Sequence, residues 1–443
     1  MPRYEFKEGT SNKFWEIELD GESFTTRYGK IGAAGQETTK DFDSASEAKA
    51  QYKKLIDEKV KKGYVAVGAD GAPPAVTKSN PALEAAIEAA PASPEPYLAY
   101  ADWLQTQGDP RGELIVVQSA GATASGAKAT ELKKRAEEII EANKDAWLGE
   151  LPDEESQADL SWRFGFLKTV RLAGEFDGDF DVAEGLDHLL ASPVGRFIEG
   201  VTIGSPGGDD GQFEYQPVVD ALVKRKPANL RKLFIGDFDQ DECEISWAHL
   251  GKAGKLWAAL PKLESLKIHL GNMTLGTIEL PELREFIMET GGLDRASAKS
   301  IATASWPKIE RLMIWLGDPN YNGDCTLKDL TPILDAKGLA NVKELGLMNS
   351  VFTDEIVEAL VNSKILKQLE RLDLSMGTMT LAGVETMLKY PKAFQHLKHL
   401  DISDNAIDGG AENRLAKACA EVKSDGQSPD RVEDDHRYPS VGE

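Results

Sequence analysis

The sequence is short of cysteine, of positive charge and of long apolar runs, and each shortage closes off a class of protein. The three cysteines, Cys243, Cys325 and Cys419, lie far apart with no C-x-x-C pair. Neither a disulfide framework nor a zinc site is therefore indicated, and ordinary buried thiols are expected. No apolar run approaches the roughly 18 residues that a bilayer crossing needs. The stretch Met1 to Glu8 is charged and lacks the apolar segment of a secretory signal. A soluble, cytoplasmic protein is the expectation. Lys and Arg number 51 against 74 Asp and Glu, a formal net charge of −23. Such a charge repels nucleic acid and anionic membranes at long range and favours basic partners, so any nucleic-acid contact has to be local. No catalytic constellation stands out, and a non-enzymatic protein without a cofactor is expected.

What the chain does have is length, 443 residues, enough for two or three domains at roughly 150 residues each. Residues 1–67 begin with alternating stretches, Lys13 to Leu19 and Phe24 to Tyr28, around Asp20-Gly21, which predicts two strands joined by an Asp-Gly turn. A helix follows from a cap at Ser44 or Ser46, with Ala48, Tyr52, Leu55, Ile56 and Val60 at helical spacing and Gly63 as its stop. This segment holds 12 basic and 12 acidic residues and is the part of the chain least repelled by phosphate.

Lys13-Phe14-Trp15, Arg27-Tyr28-Gly29-Lys30 with the run to Gln36, Phe42, Ala48 and Glu58 to Tyr64 together resemble a WGR domain. In DNA-dependent poly(ADP-ribose) polymerases such domains contact DNA near a break. The resemblance implies a nucleic-acid site at Tyr28, Gly29 and Lys30, the counterpart of the Trp-Gly-Arg triplet. Tyr28 keeps an aromatic face and Lys30 a positive charge, but lysine lacks the planar fork of arginine. The plain alternative packs Tyr28 in the sheet and leaves Lys30 solvated. Trp15 is expected in the core. Lys53, Lys54, Lys59, Lys61 and Lys62 sit at the helix end, where they also suit the dipole.

Residues 68–79 are small and proline-bearing, the composition of a linker. Residues 80–150 predict a helical module, with Asn80-Pro81 and Ser93-Pro94 starting two helices. Tyr100 to Gln105 and Gly108 to Ile115 look like a small bacterial repeat-companion domain. From about 160 to 420 a unit L-x-x-L-x-L recurs nine times, starting at Leu167, Ile198, Leu230, Leu263, Leu283, Ile309, Val342, Leu369 and Leu397. Helical stretches such as Phe352 to Leu360 and Leu381 to Leu388 lie between the units. The pattern resembles leucine-rich repeats of the ribonuclease-inhibitor kind. That resemblance implies a curved solenoid with a parallel sheet on its concave face, the first, fourth and sixth positions inside. The expected class is thus α/β multidomain: a small α+β domain, a short helical module and the solenoid. Asp404-Asn405 lies where such repeats use asparagine to bond turn backbone. Residues 421–443 read as an acidic flexible tail.

The third, fifth and seventh positions face the concave side. Arg171 and Thr202 lie at one end, Arg371, Asp373, His399 and Asp401 at the other, and Phe234, Lys267, His269, Ile287, Met313, Trp315 and Met348 between them. An apolar group of that size rimmed by charge is a candidate protein-binding patch, unless the register slips by one or a loop covers it. No metal site is expected. Asp237, Asp239 and Asp241 open like a calcium loop but Ala248 stands at its twelfth position, and His396 and His399 have no completing ligand. The leading expectation is a bacterial adaptor that binds a protein partner through the concave face, with the WGR-like module as a second docking site. The alternative is a DNA-end sensor acting through that module.

Overall fold

The computed structural model describes residues 3–8, 11–42, 44–67, 79–152, 154, 156–175, 178–207, 212–433 and 436–442. The segment 68–78, read above as linker, lies outside them. The chain divides into two units, Met1–Ser79 and Asn80–Glu443.

In the first unit, β1 (Arg3–Glu8), β2 (Ser11–Asp20), β3 (Ser23–Lys30), β4 (Gln36–Asp41) and β5 (Val65–Val67) form an antiparallel sheet of order β4-β3-β2-β1-β5. The helix α1 (Ala45–Lys61) covers one face. Ser44 Oγ accepts from the Glu47 amide at 3.2 Å, so the predicted serine cap starts the helix. Alternation along β2 sends Trp15, Ile17 and Leu19 toward Tyr52, Leu55 and Ile56 of that helix. Phe14 and Glu16 go to the other face. There Glu16 is gripped by Arg3 at 2.7 Å and by Arg27 Nε at 2.6 Å, and the Arg3 guanidinium lies 4.4 Å from the Phe14 ring centroid.

The second unit begins with five helices, α2 (Pro81–Ala89), α3 (Pro94–Thr106), α4 (Arg111–Gly121), α5 (Gly126–Glu141) and α6 (Lys144–Trp147). Asn80 Oδ1 caps α2 by accepting from the Leu83 amide. These helices share a core with the hairpin β6 (Ala158–Arg163) and β7 (Phe166–Leu172): Ile87, Tyr97, Tyr100, Leu104 and Ile115 pack with Phe166 and Phe197. The motif Gly108 to Ile115 has a structural explanation. Arg111, only 1% exposed, bonds Asp109 through Nε and Nη2 at 3.0 and 2.8 Å and donates Nη1 to the Pro193 carbonyl at 3.0 Å. It thereby ties the helices to the sheet region. Gly112 is needed because a Cβ there would stand 2.8 Å from the Ala101 carbonyl oxygen.

From β7 onward the strands pair in parallel and in strict chain order through Gly200–Ile203, Lys232–Ile235, Ser265–His269, Glu285–Glu289, Arg311–Gly317, Glu344–Ser350, Arg371–Asp373, His399–Asp401 and Val422–Lys423. With β6, which pairs antiparallel to β7, they make one sheet of eleven strands. The fourth positions of the recurring unit form one ladder, Val170, Val201, Leu233, Leu266, Phe286, Leu312, Leu345, Leu372 and Leu400. All are buried, as are the sixth positions. The connections carry helices such as Thr353–Val361 and Leu381–Lys389. The 20-residue interval between Leu263 and Leu283 carries none: a short strand, Asn272–Thr274, and buried Leu275, Ile278 and Leu280 fill the layer instead. That strand joins Ala248–Lys252 and Phe213–Glu214 in a second, three-stranded parallel sheet.

Asn405 does what its position suggests. Fully buried, it donates Nδ2 to the carbonyls of Leu374, Ile402 and Ser403 at 2.8 to 3.1 Å and accepts from the Met379 amide at 2.9 Å. Asn405→Ala strands these groups and is expected to cost about 3 kcal/mol, read as a lower urea midpoint of the whole chain. Asn405→Asp keeps only the bond from Met379 and should recover little of the loss.

Residues 421–443, expected as a flexible tail, are instead strand-paired and hydrogen-bonded among the described residues. Val422–Lys423 extends the large sheet and Val432–Glu433 pairs with His436–Arg437. The acidic composition misleads because this docking uses backbone groups, which hydropathy does not register.

Candidate nucleic-acid interface and the open sheet face

Directly opposed residues of antiparallel strands point to the same face. In the first unit Lys13 is opposite Lys30, and Trp15 is opposite both Tyr28 and Tyr4. These side chains therefore share the face that carries α1. Trp15 is buried, whereas Tyr28 is 43% exposed and Lys13 and Lys30 are exposed. Lys59, from the last turn of α1, brings its ammonium 5.1 Å from the centroids of both Trp15 and Tyr64. Burial first, then the charges of Lys62 and Lys13, hold the Lys59 ammonium below its usual pKa. An arriving anion would relieve that crowding. The surface is thus an exposed aromatic ring beside Lys13, Lys30 and Lys59, with Lys62 near. Of these, Lys13, Lys59 and Lys62 are absent from the triplet site expected from the sequence, and Lys13 joins it only through the strand register.

Gly29, the middle of the triplet, acts as a spacer. It lies opposite Phe14, and a Cβ there would meet Gly35 Cα at 3.0 Å and the Phe14 ring at 3.2 Å. Gly35 itself has φ of +79° and would place a Cβ 2.6 Å from the same ring. Both glycines seat Phe14 under the β3–β4 connection, on the face away from Tyr28. The opposite face spends its charges internally, since Glu16 pairs with Arg3 and Arg27, and Glu5 pairs with Arg3 and with Lys7 at 2.7 Å.

On the large sheet, Phe234, Lys267, His269, Ile287, Trp315 and Met348 lie on the face away from the buried ladders and are half-buried. Met313 departs from expectation: it is 5% exposed. Its Cε and the Met348 sulfur would both crowd a Cβ at Gly346, the glycine opposite it in the next strand. The expected bare apolar patch is also threaded by charge. Glu289, which the patch reading passes over, accepts from His269 Nδ1 at 2.7 Å and from Lys267 at 3.1 Å, and Lys267 lies 4.6 Å from the Phe234 ring centroid. His269 also meets Phe238 and Trp315 edge-on at 5.2 and 6.1 Å. Burial works to raise the Glu289 carboxyl, but His269 and Lys267 outweigh it and hold the group below the usual range. The bridge therefore adds stability that is present at neutral pH and lost as pH falls through that lowered pKa. Toward the end of the face, Asp373 and Asp401 are neighbours across the ladder, each bonding the serine two residues on.

Cys243 and Cys325 are buried, with thiols pushed up to about 11 and about 12 by that burial, while Cys419 is half-exposed. In the native chain at neutral pH a disulfide reagent should label Cys419 first, and the other two only on unfolding. Thiol counting with and without urea checks this. Among the described residues no group of three His, Cys, Asp or Glu side chains is placed to hold a metal, and no helix is long and apolar enough to cross a membrane.

Residues 3–70 match the WGR domain family model, so the first unit carries a WGR domain. Two Escherichia coli K12 proteins are similar to the chain there: YfeS, 42% identical over 62 residues, and YehF, 44% identical over 66. The first alignment covers 14% of this chain and 25% of YfeS, the second 15% and 24% of YehF. The chain thus spans about a quarter of the length of these relatives. A crystal structure of a Bacteroides fragilis protein, a structural-genomics target, is similar over 100% of this chain and 99% of that one, with a TM-score of 0.53 and 23% identity. That likeness concerns the fold alone.

Proposed function

We propose that the protein is a non-enzymatic binding protein whose WGR domain contacts nucleic acid through Tyr28, Lys30, Lys13 and Lys59. One observation carries the reading: an exposed tyrosine and three lysines from β2, β3 and α1 converge on one face. An aromatic face suits base or sugar stacking, and ammonium groups suit phosphate. The WGR domain match supports it, as does the balanced charge of residues 1–67 in a chain of net charge −23. The test is fluorescence anisotropy of labelled blunt, nicked and hairpin-capped duplexes titrated with the full chain. Binding that favours blunt or nicked DNA fits an end sensor; no binding to any duplex ends the proposal.

A second reading rests on the eleven-stranded sheet. We read residues 160–420 as leucine-rich repeats forming a solenoid, supported by the single-register ladder of fourth positions, and its open face as the site for a basic protein partner. The specific support is the half-exposed row Phe234, Ile287, Trp315 and Met348. Trp315→Asp with Ile287→Asp tests it by loss of partner capture; Met313 is left intact because it is buried.

A further inference from the structure

At or just beyond the C-terminal ends of three neighbouring strands of the large sheet stand non-glycine residues with positive φ: Asn349 at 51°, Met376 at 65° and Asp404 at 53°. Each lies two residues beyond a sixth position of the recurring unit, so they form a column along the sheet's edge. The left-handed conformation costs Met376 most, asparagine and aspartate tolerating it better, and here it aligns hydrogen-bonding groups that the ladder does not use. Residues 428–433 and 436–442 run along this column and take them up in order. Arg431 donates to the Asp404 carbonyl, and the Ser440 amide donates to the Met376 carbonyl at 2.8 Å. Asn349 clasps Val441 at both ends, accepting from its amide at 2.9 Å and donating to its carbonyl at 2.6 Å. A Cβ on Gly291 would stand 2.2 Å from the Gly442 carbonyl oxygen. Arg437 anchors the run on the Thr378 carbonyl and Asp354 at 3.1 and 3.5 Å.

Two features show what this edge selects. The contacts reach the main chain of 440–442, while the buried Ser440 hydroxyl has no partner. No described residue in 428–442 is buried as a whole, and hydrogen bonds with the Arg437–Asp354 pair rather than an apolar core hold these residues, the profile of a region that opens at low cost. We propose that the column Asn349, Met376, Asp404 with Gly291 is a groove for an extended peptide, read by its main chain, and that residues 428–442 are its exchangeable occupant in cis.

The full chain carrying Ser440→Pro and Val441→Pro loses the two donated amides in cis but keeps the groove. A fluorescent peptide of residues 428–442 should bind this chain saturably and the wild-type chain at least about tenfold more weakly, two hydrogen bonds being at stake. Adding Asn349→Ala should abolish the binding. In a separate readout, Asn349→Ala alone should speed tryptic cleavage after Arg437 by about tenfold while cleavage at sites outside residues 421–442 stays slow. No peptide binding by the folded double-proline chain, binding indifferent to Asn349, or unchanged cleavage with Asn349→Ala would each overturn the proposal. A peptide-bridged or exchanged dimer on size exclusion would support the groove and show that it also accepts the segment of a second copy.

Discussion

Replacing Arg111 by leucine should cost the large unit about 3–5 kcal/mol, the scale for removing one partner of a buried ion pair. Arg111 spends its guanidinium on Asp109 and on the Pro193 carbonyl, so the substitution leaves a half-sheltered carboxylate without its counter-ion and a carbonyl without its donor. The ring of Phe166, 5.9 Å from the guanidinium carbon, also loses its cover. Arg111→Lys should recover only part of the loss, because an ammonium cannot bond Asp109 through two nitrogens while reaching Pro193. Urea unfolding followed by the fluorescence of Trp103 and Trp147 reads both variants. Equal stability of wild type and Arg111→Leu would mean that apolar packing, from Tyr97, Tyr100, Leu114 and Trp147 onto Phe166 and Leu167 among others, holds the helices to the sheet without the guanidinium.

How much of this was legible in the sequence depends on which forces left a pattern. The strands of the large sheet were, because a buried ladder demands an apolar side chain at each fourth and sixth position and repeats that demand strand after strand. Asn405 was as well, since its position in the unit predicts the backbone it bonds. The open face was legible in register but not in character: Glu289 and Gly346 are unremarkable residues whose importance depends on the neighbours that pairing brings beside them. In the first unit the Asp20-Gly21 turn was visible, yet its centre was not. A turn centred on those two residues would set Lys13 opposite Tyr28. The chain turns on Gly21 and Glu22 instead, with Gly21 at φ +55°, and Lys13 meets Lys30. Periodicity sees which face a residue takes but not its exact partner, so the lysine cluster emerges only with the register. The docked residues 428–433 and 436–442 left no apolar pattern, since they are held by main-chain bonds, which are independent of side-chain type, and by two single arginines, Arg431 and Arg437, that no periodicity marks.

That lysine cluster sets the size of the second large effect. If Lys13, Lys30 and Lys59 each neutralise one phosphate, the logarithm of the binding constant should fall with the logarithm of salt concentration with a slope of about −3, since each contact contributes about −0.9 on duplex DNA. A fourfold rise in salt then weakens binding about fortyfold. Lys30→Ala should reduce the slope by about one. Tyr28→Ala, which removes a stacking surface and no charge, should weaken binding about 10- to 100-fold at every salt concentration and leave the slope alone. The two substitutions thus separate what one affinity would merge. A Tyr28→Ala chain that binds like wild type would place the nucleic acid away from the triplet. A wild-type slope near zero would remove phosphate contact as the basis of binding, and with it the role of the three lysines.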